Sequence, residues 1–170
     1  MAIHPISLAG SEYTVADLEL IDDERNRYEL CDGALVVTPA PGDLHQRILR
    51  KLVVALDGRF EPEDELLPGV GIHFTDTWYR IPDLVVMPTA LVGADRTAVP
   101  PSLVIEIVSP STNTIDREHK RVEYARFGVP EYWLVDPEAR TITALVLRDG
   151  AYVEAESALA TDAASAVFAD

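Results

Sequence analysis

The chain has 170 residues, 48% hydrophobic and 25% charged, the balance of one globular domain large enough to bury a core without covalent staples. Acids outnumber bases 29 to 14, and the net charge of −15 argues against indiscriminate adhesion to nucleic acid, although it does not decide what a single groove can bind. One cysteine, Cys31, excludes an internal disulfide framework and a thiolate zinc cluster.

In chain order, Thr14 is positioned to cap a short helix reaching residue 20, with Asp17 at the capping-box position. Tyr28-Glu29-Leu30-Cys31, Asp32-Gly33 and Ala34-Leu35-Val36-Val37 read as a hairpin, since Asp-Gly between apolar runs favours a tight turn. Cys31 lies beside that turn and reads as packing rather than as a nucleophile. Asp43 is expected to cap a helix over 43–56, with Leu44, Ile48, Leu52 and Ala55 or Leu56 on one face. Residues 61–69 read as an acidic loop.

Strands are expected over 70–74 and 78–87, with a bend at Pro82, then an irregular segment over 88–101. Residues 103–108 are apolar except for Glu106 and read as a central strand buried on both faces. Ser109-Pro110-Ser111-Thr112 forms a turn, and Asn113 or Thr114 caps a helix over 115–127, with Gly128 at its C′ position. Residues 131–135 and 141–147 follow as strands joined at Asp136-Pro137, and Asp149-Gly150 opens a return strand at 151–153. The last 15 or so residues carry little signal. The whole reads as one α/β domain, residues 1–170 with a core over about 14–150, built on a mixed sheet flanked by helices. No apolar run approaches the roughly 18 residues of a membrane span. The N-terminus lacks a basic region followed by an apolar core, so a cytoplasmic protein is expected.

Two residues break these patterns. Asp83 and Glu106 each place a carboxylate in an apolar strand, where an unpaired charge is costly. On neighbouring strands they would repel by about 4 kcal/mol at roughly 4 Å and an effective dielectric of 20, so a shared proton, a cation or a basic partner must offset them. Mg²⁺, with Mn²⁺ as a substitute, is held by one or two carboxylates plus water and phosphate oxygens. Spacing alone leaves two readings open: a cation site, or strand-end acids bonded to backbone N–H groups. On the following helix Asp116, Lys120 and Tyr124 share one face, while Ile115, Val122, Ala125 and Val129 lie elsewhere on the wheel. Asp116–Lys120 is either an exposed ion pair or part of the same site. His4, His73 and His119 show no ligand spacing, and neither a nucleophile elbow nor a phosphate-cradling glycine loop is present.

Taken together, Tyr28-Glu29-Leu30-Cys31-Asp32-Gly33, His45-Gln46, Pro82-Asp83, Glu106-Ile107-Val108-Ser109-Pro110-Ser111-Thr112, Asp116…Lys120…Tyr124 and Gly128-Val129-Pro130-Glu131-Tyr132-Trp133-Leu134-Val135-Asp136 resemble the Uma2 family of bacterial restriction-endonuclease-like proteins. The resemblance covers roughly residues 14–150 and implies the PD-(D/E)XK nuclease fold. It would make Asp83 the "PD" aspartate and Glu106 the acid of (D/E)XK. The usual lysine two residues after that acid is replaced by Val108, and Lys120 resembles a lysine migrated to the next helix. Glu29 would add a third carboxylate, and His45 would approach the phosphate or the leaving group; a surface histidine is the competing reading.

The resulting expectation is a metal-dependent phosphodiesterase acting on DNA. Asp83, Glu106 and the Ile107 carbonyl hold Mg²⁺, Lys120 orients or deprotonates the attacking water, and Arg117 and Arg121 meet the DNA backbone from a helix that also carries His119 and Arg126. The rival is an inactive or partner-dependent nuclease-fold scaffold. A homodimer is expected from an apolar edge around Tyr132 and Trp133. Deleting Asp83 or Glu106 is expected to leave apo-protein stability level or raised, by relieving repulsion.

Overall fold

The Asp32-Gly33 turn takes positive φ at both residues, 50° and 76°, the geometry that lets a two-residue loop follow the twist of its strands. In the computed structural model, which describes residues 12–23, 25–92, 99–109 and 115–169, this turn joins β1 (Asn26–Cys31) to β2 (Ala34–Pro39) in unbroken register. Before it, α1 (Val15–Leu18) carries the Thr14–Asp17 capping box and ends two residues short of the expected end. β4 (Ile72–Thr75) and β5 (Trp78–Arg80) complete a four-stranded antiparallel sheet ordered β2-β1-β5-β4.

The expected mixed sheet is a second, six-stranded one, ordered β10-β9-β8-β7-β6-β3. Its strands are β3 (Asp64–Pro68), β6 (Leu84–Pro88), β7 (Leu103–Ile107), β8 (Glu131–Asp136), β9 (Thr141–Arg148) and β10 (Ala151–Glu154). Among the described residues only β7 and β8 pair in parallel, and their connection carries a π-helical turn (Ile115–His119) running into α3 (Lys120–Arg126). Leu103, Ile105 and Ile107 of β7 pack with α2 (Asp43–Leu56) and α4 (Ala158–Phe168) on one face; Val104 packs with Tyr124, Tyr132 and Tyr152 on the other. The small sheet leans on this second face, where Phe74 stacks on Phe127 at 4.4 Å between ring centroids.

Several expectations change. Residues 61–69 contain β3, an edge strand whose acids stay half-exposed while Leu66 and Leu67 pack on opposite sides. The strand expected over 78–87 is two strands in different sheets, with Ile81-Pro82-Asp83 as the crossing. Gly42, not Asp43, caps α2, and Leu44 is 64% exposed because the buried stripe is Ile48, Leu52 and Leu56. The irregular 88–101 segment includes a 3₁₀ turn over Thr89–Leu91. The helix expected over 115–127 begins as the π turn, and its proposed caps Asn113 and Thr114, with Pro110, Ser111 and Thr112, lie outside the described residues. Its end is as expected: Gly128 at φ 76°, with Val129 N bonding Tyr124 O and Gly128 N bonding Ala125 O, forms a Schellman closure. The weak C-terminal tail is α4, capped by Ser157 and tied to α2 through Lys51 Nζ to Val167 O at 2.7 Å. Its buried Ala160, Ala163 and Val167 are spaced as a helix face but are mostly too small to stand out in hydropathy. Tyr132 and Trp133 are core residues, so the apolar edge attributed to them does not exist.

Candidate active site

The crossing between the sheets puts Asp83 where both meet. It stands one residue beyond the Leu84–Ile105 pair of β6 and β7, and its Oδ2 accepts the Ile107 amide at 2.8 Å. The alternation of β7 turns Glu106 to the face away from α2, toward α3. Both acids are 3% exposed and line one cavity of about 170 Å³, together with Glu29, His45, Asp116 and Lys120. The two carboxylates therefore reach the same space rather than opposite faces of the sheet.

Each acid has its own cationic partner. Lys120 Nζ donates to Glu106 Oε1 at 2.8 Å and lies 3.2 Å from Asp116 Oδ1; Tyr124 Oη donates to the same Glu106 oxygen at 2.8 Å. The π turn leaves Asp116, Lys120 and Tyr124 directed at one place, and the Asp116 carbonyl accepts the Tyr132 hydroxyl at 2.8 Å. Asp83 Oδ1 accepts Arg27 Nη1 at 3.2 Å, and Oδ2 lies 3.0 Å from His45 Nε2. His45 is thus in the site from the first turn of α2, and its Nδ1 is buried without a hydrogen-bond partner among the described residues.

Glu29 is anchored in the cavity wall. Its Oε1 accepts the Ile81 amide at 2.7 Å and its Oε2 lies 3.4 Å from Arg80 Nη1. Arg80, 2% exposed, also makes a two-pronged pair with Glu123 of α3, at 2.8 and 2.7 Å. The Cys31 thiol donates to Glu123, and burial first, then Glu123, pushes its pKa up to about 11, consistent with packing rather than reactivity.

The titrations follow from this arrangement. Burial raises the Asp83 carboxyl, but His45, the Ile107 amide and Lys120 outweigh it and hold the group below its ordinary value. Burial pushes Glu106 up to about 8, with Lys120 opposing and Asp83, Asp116 and Glu29 reinforcing the rise. Burial works against the Lys120 ammonium too, yet Glu106, Asp116 and Glu29 together hold its pKa above the ordinary value. Lys120 is therefore a fixed cation here.

Sequence reasoning missed Arg27, Arg80 and Glu123. Arg27 shares the Glu29 face of β1 by two-residue alternation, Arg80 is a charge at a buried strand position, and Glu123 stands three residues after Lys120; each spacing was readable. The candidate DNA contacts do not join the site. Arg117 pairs with Asp136, and Arg121 donates to the Tyr152 carbonyl at 2.7 Å. Arg126 lies over the Trp78 and Phe127 rings, so the basic residues of this helix are spread around it. Val122, on the face expected to be apolar, is 69% exposed, while Lys120, Glu123 and Tyr124 are buried. Among the described residues, no three His, Cys, Asp or Glu side chains converge as a metal cage, and no helix is long and apolar enough to cross a membrane.

The fold is that of a nuclease-like protein. A crystal structure titled as a putative nuclease belonging to DUF820, from Anabaena variabilis, matches at a TM-score of 0.68 with 15% identity, covering 91% of this chain and 99% of that one. The profile of Uma2, described as "Putative restriction endonuclease", matches residues 13–168, and the chain belongs to that family. No protein of curated function matches it.

Proposed function

We propose that the protein is a metal-dependent endonuclease of the PD-(D/E)XK type, hydrolysing phosphodiester bonds in DNA. The observation that supports this most is the charge imbalance of the cavity. Its lining sets four carboxyl groups, Glu29, Asp83, Glu106 and Asp116, against two fixed cations, Arg27 and Lys120, a deficit of two positive charges once Glu106 gives up its proton. Adding the Arg80–Glu123 pair behind it leaves the same deficit. One divalent cation would balance that deficit. Mg²⁺ suits a donor set of two carboxylates, Asp83 and Glu106, with the Ile107 carbonyl, because water and phosphate oxygens complete its shell and no third protein carboxylate is required. Mn²⁺ would serve likewise.

When bound, the ion would polarise the phosphoryl oxygen and offset the charge gained during in-line attack. The remaining work belongs to the chain. Lys120 stays an ammonium, so it orients the attacking water and stabilises developing negative charge rather than removing the proton. Asp116 and Tyr124 hold Lys120 and Glu106 in place. Glu29 fixes the Ile81 amide, and through it the approach to Asp83. His45, bonded to Asp83 through Nε2, lines the space where the phosphate or the leaving oxygen would come.

The test is cleavage of plasmid DNA with Mg²⁺ or Mn²⁺, alongside melting of the protein with each ion. Lys120→Ala should abolish cleavage and leave metal affinity within a few fold, whereas Asp83→Ala and Glu106→Ala should lose both. The scaffold reading draws on the net charge of −15 and on the basic side chains engaged away from the cavity. It would be upheld by a wild-type protein that neither melts higher with metal nor cuts DNA.

A further inference from the structure

We infer that Arg27 is the phosphate-binding residue of this site, held on Asp83 until a divalent cation displaces it; the inference rests on the proposed metal-dependent reaction. Asp83 has three partners of different mobility. The Ile107 amide is fixed in β7, and His45 sits in the first turn of α2. Both address Oδ2. Oδ1 takes only Arg27 among the described residues, at the longest distance of the three, 3.2 Å. Arg27 is also the exposed cation of the cavity: its side chain is 27% exposed, against 8% for Lys120.

A cation bound by Asp83 uses a carboxylate oxygen that Arg27 now covers, and like charges then repel across the same group. Arg27 is the partner able to leave, because its side chain is long, has many rotamers and is already partly exposed. Charge balance says where it goes. Once a divalent cation has taken Asp83 Oδ1, the guanidinium is left without its carboxylate, and an incoming phosphodiester brings a negative charge for it to meet. A released guanidinium at the mouth of the cavity supplies a two-pronged partner for phosphate oxygens. Lys120 is held by Glu106 and Asp116, and Arg121 and Arg126 are engaged away from the cavity, so Arg27 is the group the geometry offers.

The inference predicts opposite signs for two affinities. Arg27→Ala removes a competitor for Asp83, so Mn²⁺ titrated into the metal-free protein should bind several-fold tighter. The same change should weaken a short DNA duplex about tenfold in the presence of Mn²⁺, the loss expected for a charge-assisted contact. Without Mn²⁺ the two proteins should bind the duplex equally, since Arg27 is then occupied. Arg27→Gln, which keeps the side-chain stem, repeats the comparison if the alanine variant folds poorly. Weakening of both affinities, or change in neither, in a wild-type background that binds Mn²⁺ and cuts DNA overturns the role of Arg27 alone. A wild type that binds no Mn²⁺ overturns the proposed reaction, and this inference with it.

Discussion

Asp83 and Glu106 share a cavity, yet their carboxyls are pushed in opposite directions, and their neighbours explain it. Asp83 collects a backbone amide, a histidine and an arginine; Glu106, equally buried, shares its one cation, Lys120, with Asp116. The structure accordingly reverses the sign expected for Asp83→Ala. Its removal strands the Ile107 amide and two basic side chains, so the apo protein should lose about 1–3 kcal/mol, read by denaturant melts. Glu106 behaves otherwise. A carboxyl whose pKa rises from 4.5 in the unfolded chain to about 8 in the folded one favours folding below pH 4.5, and that contribution disappears as the pH climbs toward 8. Wild type should therefore lose a few kcal/mol relative to Glu106→Gln between pH 4.5 and 8, measured as parallel melts. Because a cation must displace the same proton, Mn²⁺ affinity should also fall as pH drops below about 8.

Among the elements, α3 and the small sheet are joined by Arg80, which bridges β5 to Glu123 of α3 and Glu29 of β1. Arg80→Met leaves two buried carboxylates without their cation and should cost about 3–5 kcal/mol. Arg80→Met with Glu123→Gln should recover part of that loss, a coupling that a double-mutant cycle of melts would quantify. The C-terminal helix rests on lighter terms. Ser157 Oγ accepts the Ala160 amide at 3.2 Å, so Ser157→Ala should cost about 1 kcal/mol of stability with no effect on metal affinity.

For the whole molecule, the acidic surface and the acidic cavity differ in consequence. Surface charge acts over a Debye length of about 8 Å at physiological salt, whereas the cavity charges act at contact distance and escape most screening. A homodimer remains our proposal on symmetry grounds alone, since two strands of a duplex need two sites and closed two-fold pairs are the commonest assembly. Sedimentation at micromolar concentration should show a dimer. Tyr132 and Trp133, buried in the core, would not form its interface.

The sequence by itself determined what local physics dictates. The Asp32-Gly33 and Asp149-Gly150 turns, the Thr14 capping box, the Gly128 closure and the central strand with its lone acid were all legible, because each depends on residues within a few positions of one another. The shared face of Asp116, Lys120 and Tyr124 was legible for the same reason. The division of the strands into two sheets was not. Ile81-Pro82-Asp83 looks like a bent strand locally, and only the pairing of β5 with β1 and of β6 with β7 makes it a crossing. The partners of the site acids were hidden likewise: Arg27 lies 56 residues from Asp83, and Arg80 lies 43 from Glu123. Those separations leave no periodic trace, so only the folded chain could decide which cation stands beside which carboxylate.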